Sequence, residues 1–326
     1  GQIVSCKELW KFHTIFGDGA TPLGHTVEKI EYPRLRQSKV SAIVAIAEGC
    51  NSHCTYCSVK LARGDLKSFD HNKIYSKVEK AFGQGYREIL LTAQDTAAYG
   101  LDCGKTLPEL LEKLVKIKGN FRIRVGMMNP KNAINIADEL LAMFSDEKIY
   151  KFLHIPVQSG DNEILRKMGR GYTVEEFIQI VNKFYRKFPE LYLSTDIIVG
   201  FPGEGEEEFR NTCRLIEKIR PDKTNISKFS PMPGTVASRF KQVDGRDVAK
   251  RSRVLSNLCR KIGLEKNCWY LGRRAEGFIT EEGEKGGKVL RAGNYKPVIV
   301  NDGEIGEFLN VEVTQAFPTY LKGVRV

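Results

Sequence analysis

Strand-like and helix-like segments alternate six times after Val40, and this alternation constrains the fold more than any other feature. Short apolar runs bounded by Gly, Pro or polar residues are typical of buried strands. The predicted strands span residues 41–47, 88–93, 121–127, 150–156, 192–199 and 224–229. Segments with helical periodicity separate them, which favours an α/β fold with a parallel, barrel-like sheet. Ligand sites in such folds form where the strands end.

After Gly272 the pattern changes to short strands without helices. The predicted strands there span residues 276–280, 288–291, 297–300, 308–315 and 320–326. Five short strands separated by Gly-rich turns favour a small antiparallel β-barrel of the oligonucleotide-binding type. We therefore expect a linker-like segment at 1–38, an α/β core at 39–262 and a β domain at 263–326. A long charged helix is predicted over 246–266.

Three cysteines, Cys50, Cys54 and Cys57, lie within eight residues directly after the first predicted strand. Three thiolates cannot pair evenly as disulfides, but they can face one point, and soft sulfur ligands suit iron–sulfur clusters or zinc. A [4Fe–4S] cluster held by three cysteines leaves one iron open to a small chelating molecule. A zinc knuckle is the alternative, and its nearby fourth ligand would be His53. The cysteines at 103, 213, 259 and 268 show no metal-ligand spacing.

The composition argues against a secreted disulfide scaffold and against a membrane-spanning protein. Eight cysteines in 326 residues fit a reduced, cytoplasmic protein rather than a secreted disulfide scaffold. No run approaches the roughly 18 apolar residues of a membrane span, so no membrane partner is expected. The net charge is +11, and residues 263–326 carry nine Lys/Arg and nine Asp/Glu, so the excess lies before residue 263. A basic excess favours a polyanion such as RNA, although a solvated surface is the plain alternative.

The cysteine spacing resembles the motif of the radical S-adenosylmethionine (SAM) superfamily, in which the open iron binds SAM and an electron from the cluster cleaves it to a 5′-deoxyadenosyl radical. Further segments, in the same order, resemble the methylthiotransferases within that superfamily. These segments are 91–100, 154–160, 168–172, 195–204 and 229–235. The resemblance covers about residues 39–326. It implies a partial (β/α)6 radical SAM barrel followed by a TRAM domain, which is an RNA-binding β-barrel.

Within that family, the stretch Ala62-Arg63-Gly64 and the segments 94–100 and 107–110 look most like the archaeal and eukaryotic branch that acts on threonylcarbamoyladenosine in tRNA. The resemblance implies methylthiolation of C2 of that base beside the anticodon. Its partners would be the tRNA anticodon stem-loop, an electron donor and a sulfur source, and a monomer is expected. A ribosomal-protein methylthiotransferase is the near alternative. A non-enzymatic RNA-binding module with a structural metal is the distant one.

The chain departs from the family pattern at its start. The family carries an N-terminal domain whose three further cysteines hold a second [4Fe–4S] cluster. Only Cys6 precedes the motif here, so residues 1–38 are expected to be a remnant of that domain. We expect this chain to bind SAM and one cluster, and to be incomplete for the whole reaction.

Residues that follow the predicted strands are the candidates for contacts with SAM. Tyr56 would present its backbone to the adenine, or simply pack. Gln94 and Asp95 follow the second strand, where a carboxylate can accept hydrogen bonds from an ammonium group; a helix N-cap is the alternative for Asp95. Gln158 follows the fourth strand.

Two more candidates are charged. Arg170 could clamp the SAM carboxylate through two parallel hydrogen bonds, and Asp196, inside an apolar strand, needs a polar partner such as a ribose. Arg63 could steer a phosphate or close the cluster loop. A surface charge, or a satisfied structural charge, is the alternative for each. Basic residues on the long helix could contact phosphates or face solvent: Lys250, Arg251, Arg253, Arg260 and Lys261.

Overall fold

The computed structural model describes Ile30 and residues 38–326. Nearly all of the predicted linker, including Cys6, lies outside the described residues. In the part of the chain described, every helix is too short or too polar to cross a lipid bilayer.

The strands and helices alternate as the sequence predicts. In chain order the strands are β1 (Ser41–Ala45), β2 (Ala47–Glu48), β3 (Lys67–Ser68), β4 (Glu88–Thr92), β5 (Arg122–Arg124), β6 (Phe152–His154), β7 (Tyr192–Val199), β8 (Lys223–Lys228), β9 (Arg274–Glu282), β10 (Lys288–Ala292), β11 (Pro297–Val300), β12 (Phe308–Ala316) and β13 (Leu321–Arg325). The helices are α1 (Val59–Arg63), α2 (His71–Gly83), α3 (Leu107–Val115), α4 (Pro130–Ala133), α5 (Ala137–Met143), α6 (Asn162–Met168), α7 (Val174–Lys187), α8 (Glu206–Ile219) and α9 (Gly245–Cys268).

Six parallel strands build the core domain. Strands β1, β4 and β5 pair in that order, as do β6, β7 and β8, and a parallel bridge between Ile123 and Ile149 joins the two sets. Among the described residues β8 does not pair with β1, so the barrel is open along that side. The predicted partial (β/α)6 barrel is confirmed.

Side-chain caps fix where the core helices begin. The Asp70 carboxylate accepts hydrogen bonds from two backbone N–H groups at the start of α2. Thr106 with Glu109, and Thr173 with Glu176, form reciprocal capping boxes at the starts of α3 and α7. Each cap contributes on the order of 1 kcal/mol, so these boundaries are encoded locally.

The helical segment between β5 and β6 is not one continuous helix. The chain forms the short helix α4, a 3₁₀ turn and then α5, because Asn129 caps a helix that starts at Pro130. Proline at the first helical position favours this early start. Strands β2 and β3 and helix α1 were not predicted, since two to five residues are too few to show a periodicity.

The five C-terminal strands, β9 to β13, close into a small barrel in the order β10-β11-β13-β12-β9. Its core consists of aliphatic side chains such as Ile279, Leu290 and Val311. The predicted barrel is confirmed, with one correction to its antiparallel description. Strand β13 returns beside β12 and meets β11 in parallel, with Val298 opposite Leu321.

The small barrel packs against the amino ends of the parallel strands, opposite the cysteine loop. The Lys296 ammonium is buried there, 2.7 Å from the Asp222 carboxylate and 2.6 Å from the Asn267 side-chain oxygen. The Lys266 ammonium contacts the other Asp222 oxygen at 2.6 Å. The Tyr295 ring packs edge-on against Tyr150, with ring centroids 4.9 Å apart. These contacts cover the amino end of the parallel strands and join the parallel barrel to the small barrel.

Candidate functional site

The three cysteines lie on a loop at the carboxyl end of the parallel barrel. The loop starts at Gly49, where φ is +71° and an added Cβ would lie 1.9 Å from the Asp65 carbonyl oxygen, so no larger side chain fits. The Cys50 N–H donates to the Gly64 carbonyl at 3.2 Å, which closes the loop at its base. The loop geometry therefore depends on glycine and on backbone contacts.

A second set of contacts ties the middle of the loop to the rest of the core. The Thr55 N–H donates to the Met168 carbonyl at 2.9 Å, and its hydroxyl donates to the Lys167 carbonyl at 2.8 Å. The Thr55 carbonyl in turn accepts from the Ala237 N–H at 2.9 Å. The loop is thus held between the end of α6 and the segment that follows β8.

Cys50, Cys54 and Cys57 are free thiols, partly exposed, and line one cavity of about 230 Å³. Burial raises the pKa of the Cys57 thiol. The backbone N–H of Val59 opposes this shift, and the nearby Cys54 and Cys50 thiols add to it. Within the described residues, no three His, Cys, Asp or Glu side chains converge on a single metal-ion position. A cubane cluster does not require such convergence, because each cysteine binds a different iron. The donor set therefore fits a cluster.

His53, the fourth ligand of the zinc alternative, also lines the cavity. Its Nε2 atom lies 2.9 Å from the Lys60 ammonium. A lone pair that accepts a hydrogen bond from an ammonium group is not free to bind a metal ion.

Arg170 is buried beside the cluster loop, with 6% of its surface exposed. All of its N–H groups face protein acceptors. The acceptors are the Tyr172 hydroxyl at 3.0 Å, the Cys54 sulfur at 3.3 Å, the Tyr56 hydroxyl at 3.5 Å, the Asn129 side-chain oxygen at 3.1 Å and the Pro156 carbonyl at 3.2 Å. The predicted clamp on a SAM carboxylate would have to break some of these bonds, because a guanidinium has only five N–H groups.

Tyr56 lies between Arg170 and Phe201. The centroids of the Tyr56 and Phe201 rings are 6.3 Å apart. Burial raises the pKa of its hydroxyl, an effect that the Arg170 charge only partly opposes. Its side chain therefore packs in this structure, and the predicted contact of its backbone with the adenine stays a prediction.

Asp95 is buried and serves the protein in this structure. One carboxylate oxygen accepts from the N–H groups of Ala97 and Asn129, at 3.0 and 2.9 Å, and the other accepts from the Asn132 side chain at 2.7 Å. Burial raises the pKa of Asp95, while these hydrogen bonds lower it. Asp95 therefore caps the turn that follows it and joins the carboxyl ends of β4 and β5, and its contact with SAM stays a prediction.

Gln94 differs from its neighbour. Its side-chain oxygen is buried and has no hydrogen-bond partner in the part of the chain described. Gln94 and Arg63 line a second cavity, of about 330 Å³, at the carboxyl ends of β1 and β4. A buried acceptor without a partner is unfavourable and marks a place where a ligand can donate a hydrogen bond.

Gln158 lies in the segment after β6, beside β7, and Asp196 lies on β7. Gln158 has a φ of +75° and bridges Ile197, so a strained backbone presents its side chain. One Asp196 oxygen accepts from the Asn225 side chain at 2.6 Å and lies 3.0 Å from the His154 ring nitrogen. Burial alone would raise the pKa of Asp196, but the His154 contacts and the Asn225 hydrogen bond lower it.

Several residues of this site were missed from sequence. Asn129 and Asn132 follow β5. Asn129 connects Asp95 to Arg170, and the Asn132 side chain donates to Asp95. The pair Asn129-Pro130 was a usable signal, because it starts a helix directly after a strand. His154 and Asn225 face the barrel interior from β6 and β8, and nothing local distinguishes them.

The long helix brings one correction. The Arg251 guanidinium is buried and lies 2.9 Å from the Glu204 carboxylate, so it does not face phosphates. Burial raises the pKa of Glu204, although the Gly200 N–H and Arg251 oppose the shift.

Comparisons with known proteins agree with this geometry. The radical SAM superfamily model matches residues 44–216. The chain is 52% identical to a probable threonylcarbamoyladenosine tRNA methylthiotransferase of Pyrococcus horikoshii, covering 91% of this chain and 70% of that protein. It is 34% identical to the human threonylcarbamoyladenosine tRNA methylthiotransferase, covering 90% of this chain and 51% of the human protein.

Among solved structures, coproporphyrinogen III oxidase from Escherichia coli, a radical SAM enzyme, superposes with a TM-score of 0.51 at 15% identity. The match covers 69% of this chain and 54% of that one, and it shows a shared fold. The chain belongs to the radical SAM superfamily and, within it, to the family of the threonylcarbamoyladenosine tRNA methylthiotransferases.

Proposed function

We propose that this chain is the radical SAM and RNA-binding part of an enzyme that adds a methylthio group to C2 of N6-threonylcarbamoyladenosine beside the tRNA anticodon. The observation that carries this proposal is the set of three free thiols lining one cavity at the carboxyl end of a partial parallel barrel. The names of the relatives support the substrate. When bound, a [4Fe–4S] cluster supplies the electron that cleaves SAM to a 5′-deoxyadenosyl radical.

Cys50, Cys54 and Cys57 would supply the thiolates. Arg170 is a positioning residue in this proposal, because it donates to the Cys54 sulfur and to groups from three other segments. A guanidinium beside a thiolate stabilises the negative charge of that thiolate. Asp95 and Asn129 extend the network and fix the carboxyl end of β5.

Contacts to SAM would come from groups that the protein leaves unsatisfied. Gln94 offers a buried acceptor without a partner. Both hydrogen bonds of Asp196 described above go to one oxygen, which leaves the other oxygen for a hydroxyl or an ammonium group. Gln158, Tyr56 and Asp95 complete the predicted set, with Asp95 acting through its hydrogen bonds to the backbone.

The open side of the barrel suits a large substrate. Ile43 on β1 is 55% exposed although its neighbours on the strand are buried. A base that reacts must leave its stack and enter a pocket, and single-stranded loop bases do so most readily. The barrel mouth would therefore receive one unstacked adenosine.

Residues 39–262 would form the catalytic core, residues 263–326 the RNA-binding TRAM domain, and residues 1–38 the end of a preceding methylthiotransferase domain. The second [4Fe–4S] cluster and the entry of sulfur belong to that preceding domain in this proposal. An electron donor is also required. We propose a cytoplasmic, monomeric enzyme.

The test is anaerobic reconstitution of the chain with iron and sulfide, followed by reduction, addition of SAM and measurement of 5′-deoxyadenosine. Cys50→Ala, Cys54→Ala and Cys57→Ala should each abolish production, whereas Cys103→Ala, at an exposed cysteine outside the site, should not. About four irons per chain with matching sulfide support the proposal. One zinc per chain, or production that survives the three replacements, contradicts it.

A further inference from the structure

One face of helix α9 carries a stripe of cations that the core does not use. The stripe consists of Arg246, Lys250, Arg253, Arg260 and Lys261, all of them exposed. Because side chains three, four and seven apart share a helix face, these residues project in one direction. We call this set the α9 stripe.

The α9 stripe makes no salt bridges among the described residues, Ile30 and 38–326. Glu265 is an acidic neighbour of the stripe, and its pKa is lowered chiefly by its hydrogen bond to Arg220 and to a smaller extent by Lys261. On the same helix Arg251 is buried against Glu204, and Glu265 pairs with Arg220 at 2.6 Å. The helix therefore satisfies its inward and flanking charges and leaves one row of positive charge in water.

The α9 stripe joins the two ends of the molecule. Helix α9 begins at the carboxyl ends of the strands, where Val248 packs close to Gly200, and ends beside the Lys266–Asp222 pair at the amino ends. From Arg246 to Lys261 the helix rises about 22 Å. Just beyond it, exposed Trp269 has the Arg273 guanidinium 3.5 Å from its ring centroid, a pairing suited to nucleic-acid surfaces.

We infer that the α9 stripe binds the phosphate backbone of the tRNA anticodon stem, between the target base at the barrel mouth and the small barrel at the opposite end. This inference rests on the proposed function. A row of exposed cations that make no salt bridge within the described residues complements a row of phosphates. A substrate that reaches both the cysteine loop and the small barrel has to pass along the side of the core, and the α9 stripe runs in that direction.

The test compares two triple variants of the full chain that remove the same charge. The stripe variant is Lys250→Gln, Arg253→Gln and Arg260→Gln. The control variant is Lys80→Gln, Lys118→Gln and Arg186→Gln, at exposed positions outside α9. Binding of a labelled synthetic anticodon stem-loop RNA is measured by fluorescence anisotropy over a series of salt concentrations. Thermal unfolding checks that both variants fold.

We expect the stripe variant to bind at least about tenfold more weakly at low salt, and to lower the slope of log affinity against log salt by about 2 to 3. The control variant should keep both values close to those of the unchanged chain. Equal losses in the two variants, or no loss in the stripe variant, would overturn the inference. So would unaltered RNA binding together with slower reduction by an acidic electron-donor protein, which would assign the α9 stripe to that partner.

Formation of 5′-deoxyadenosine from SAM without RNA separates this inference from the proposed function. The stripe variant should keep this reaction, because its three residues lie outside the cysteine cavity. If the unchanged chain makes 5′-deoxyadenosine but does not bind the RNA, the α9 stripe assignment fails and the radical chemistry stands.

Discussion

The two ends of the parallel barrel differ in how completely their polar groups are paired. At the amino end, charged and aromatic groups are buried and paired: Lys296 and Lys266 share Asp222, and Tyr295 packs on Tyr150. At the carboxyl end, two cavities open, a buried Gln94 oxygen lacks a partner among the described residues, and Gln158 has a strained backbone. Both ends contain buried, paired charges, and Arg170 and Asp95 are examples at the carboxyl end. The carboxyl end also keeps open cavities and this unpaired acceptor, which are features that a ligand can use.

The largest expected effect is a loss of activity at the carboxyl end with almost no loss of stability. Cys57→Ala should abolish 5′-deoxyadenosine formation and cluster iron, because one of three ligands is lost. It should change the free energy of unfolding by less than about 1 kcal/mol, since the thiol is partly exposed. Iron analysis, product assay and urea unfolding of the apo chain measure the three quantities. A large loss of stability would show that the open end also supports the fold.

Lys296→Met should give the reverse pattern. It removes a buried ammonium from Asp222 and Asn267, and breaking such a network should destabilise the chain by about 3 kcal/mol. Activity per folded molecule should stay unchanged. The control is Lys285→Met in an exposed turn, expected to change stability by less than about 0.5 kcal/mol. Equal urea midpoints for the two variants would contradict the role assigned to the amino end.

Arg170→Gln tests the link between structure and chemistry at the carboxyl end. Removing a positive charge and an N–H···S contact from Cys54 should make the cluster harder to reduce, by about 60 mV if the contact contributes about 1.4 kcal/mol. A redox titration followed by electron paramagnetic resonance measures this potential. Arg166→Gln, on the exposed surface of α6, is the control. An unchanged potential would show that Arg170 contributes only to packing.

The smallest effects are opposite pH dependences of two carboxylates. Burial raises the pKa of Glu88 at the amino end, so its folded form loses stability as pH rises above the unfolded value of about 4.3. The pKa of Asp196 is lowered, so its stabilisation is present above about pH 3.9 and disappears as pH falls through the folded value.

Glu88→Gln should therefore raise stability at neutral pH relative to acid pH, and Asp196→Asn should weaken the loss of stability below about pH 4. For Asp196→Asn the change in the free energy of unfolding should be under about 1 kcal/mol, because Asp196 is partly exposed. For Glu88→Gln the change should be larger, because Glu88 is buried. Unfolding curves measured from acid to neutral pH compare both variants with the unchanged chain. If the stability difference between variant and unchanged chain changed with pH in the same direction for both variants, this assignment would be refuted.

The sequence predicted the elements that depend on local signals. The six strands, the small barrel and the position of the cysteine loop follow from periodicity and turns. The capping boxes at Thr106 and Thr173 were not predicted, although each uses residues within three positions of the helix start. Arg170 shows where such reasoning stops. Its five acceptors come from segments up to 116 residues away in the chain, so no local pattern reveals that its donors are already used.

The same limit applies to the docking of the small barrel. Lys296 lies 74 residues from Asp222, and a lysine within a polar turn gives no sign that it will be buried. Arg251 and Lys250 are neighbours of the same charge, yet one is buried and the other exposed. Only the packing of α9 against the core separates a structural cation from one that can meet a partner.

Every contact described for the cysteine loop, from the tight turn at Gly49 to the bond between Thr55 and Met168, is made by protein atoms alone. The positions of the three thiols therefore depend on residues other than the cysteines themselves. A side chain larger than glycine at position 49 would collide with the Asp65 carbonyl and move Cys50, although every cysteine is unchanged.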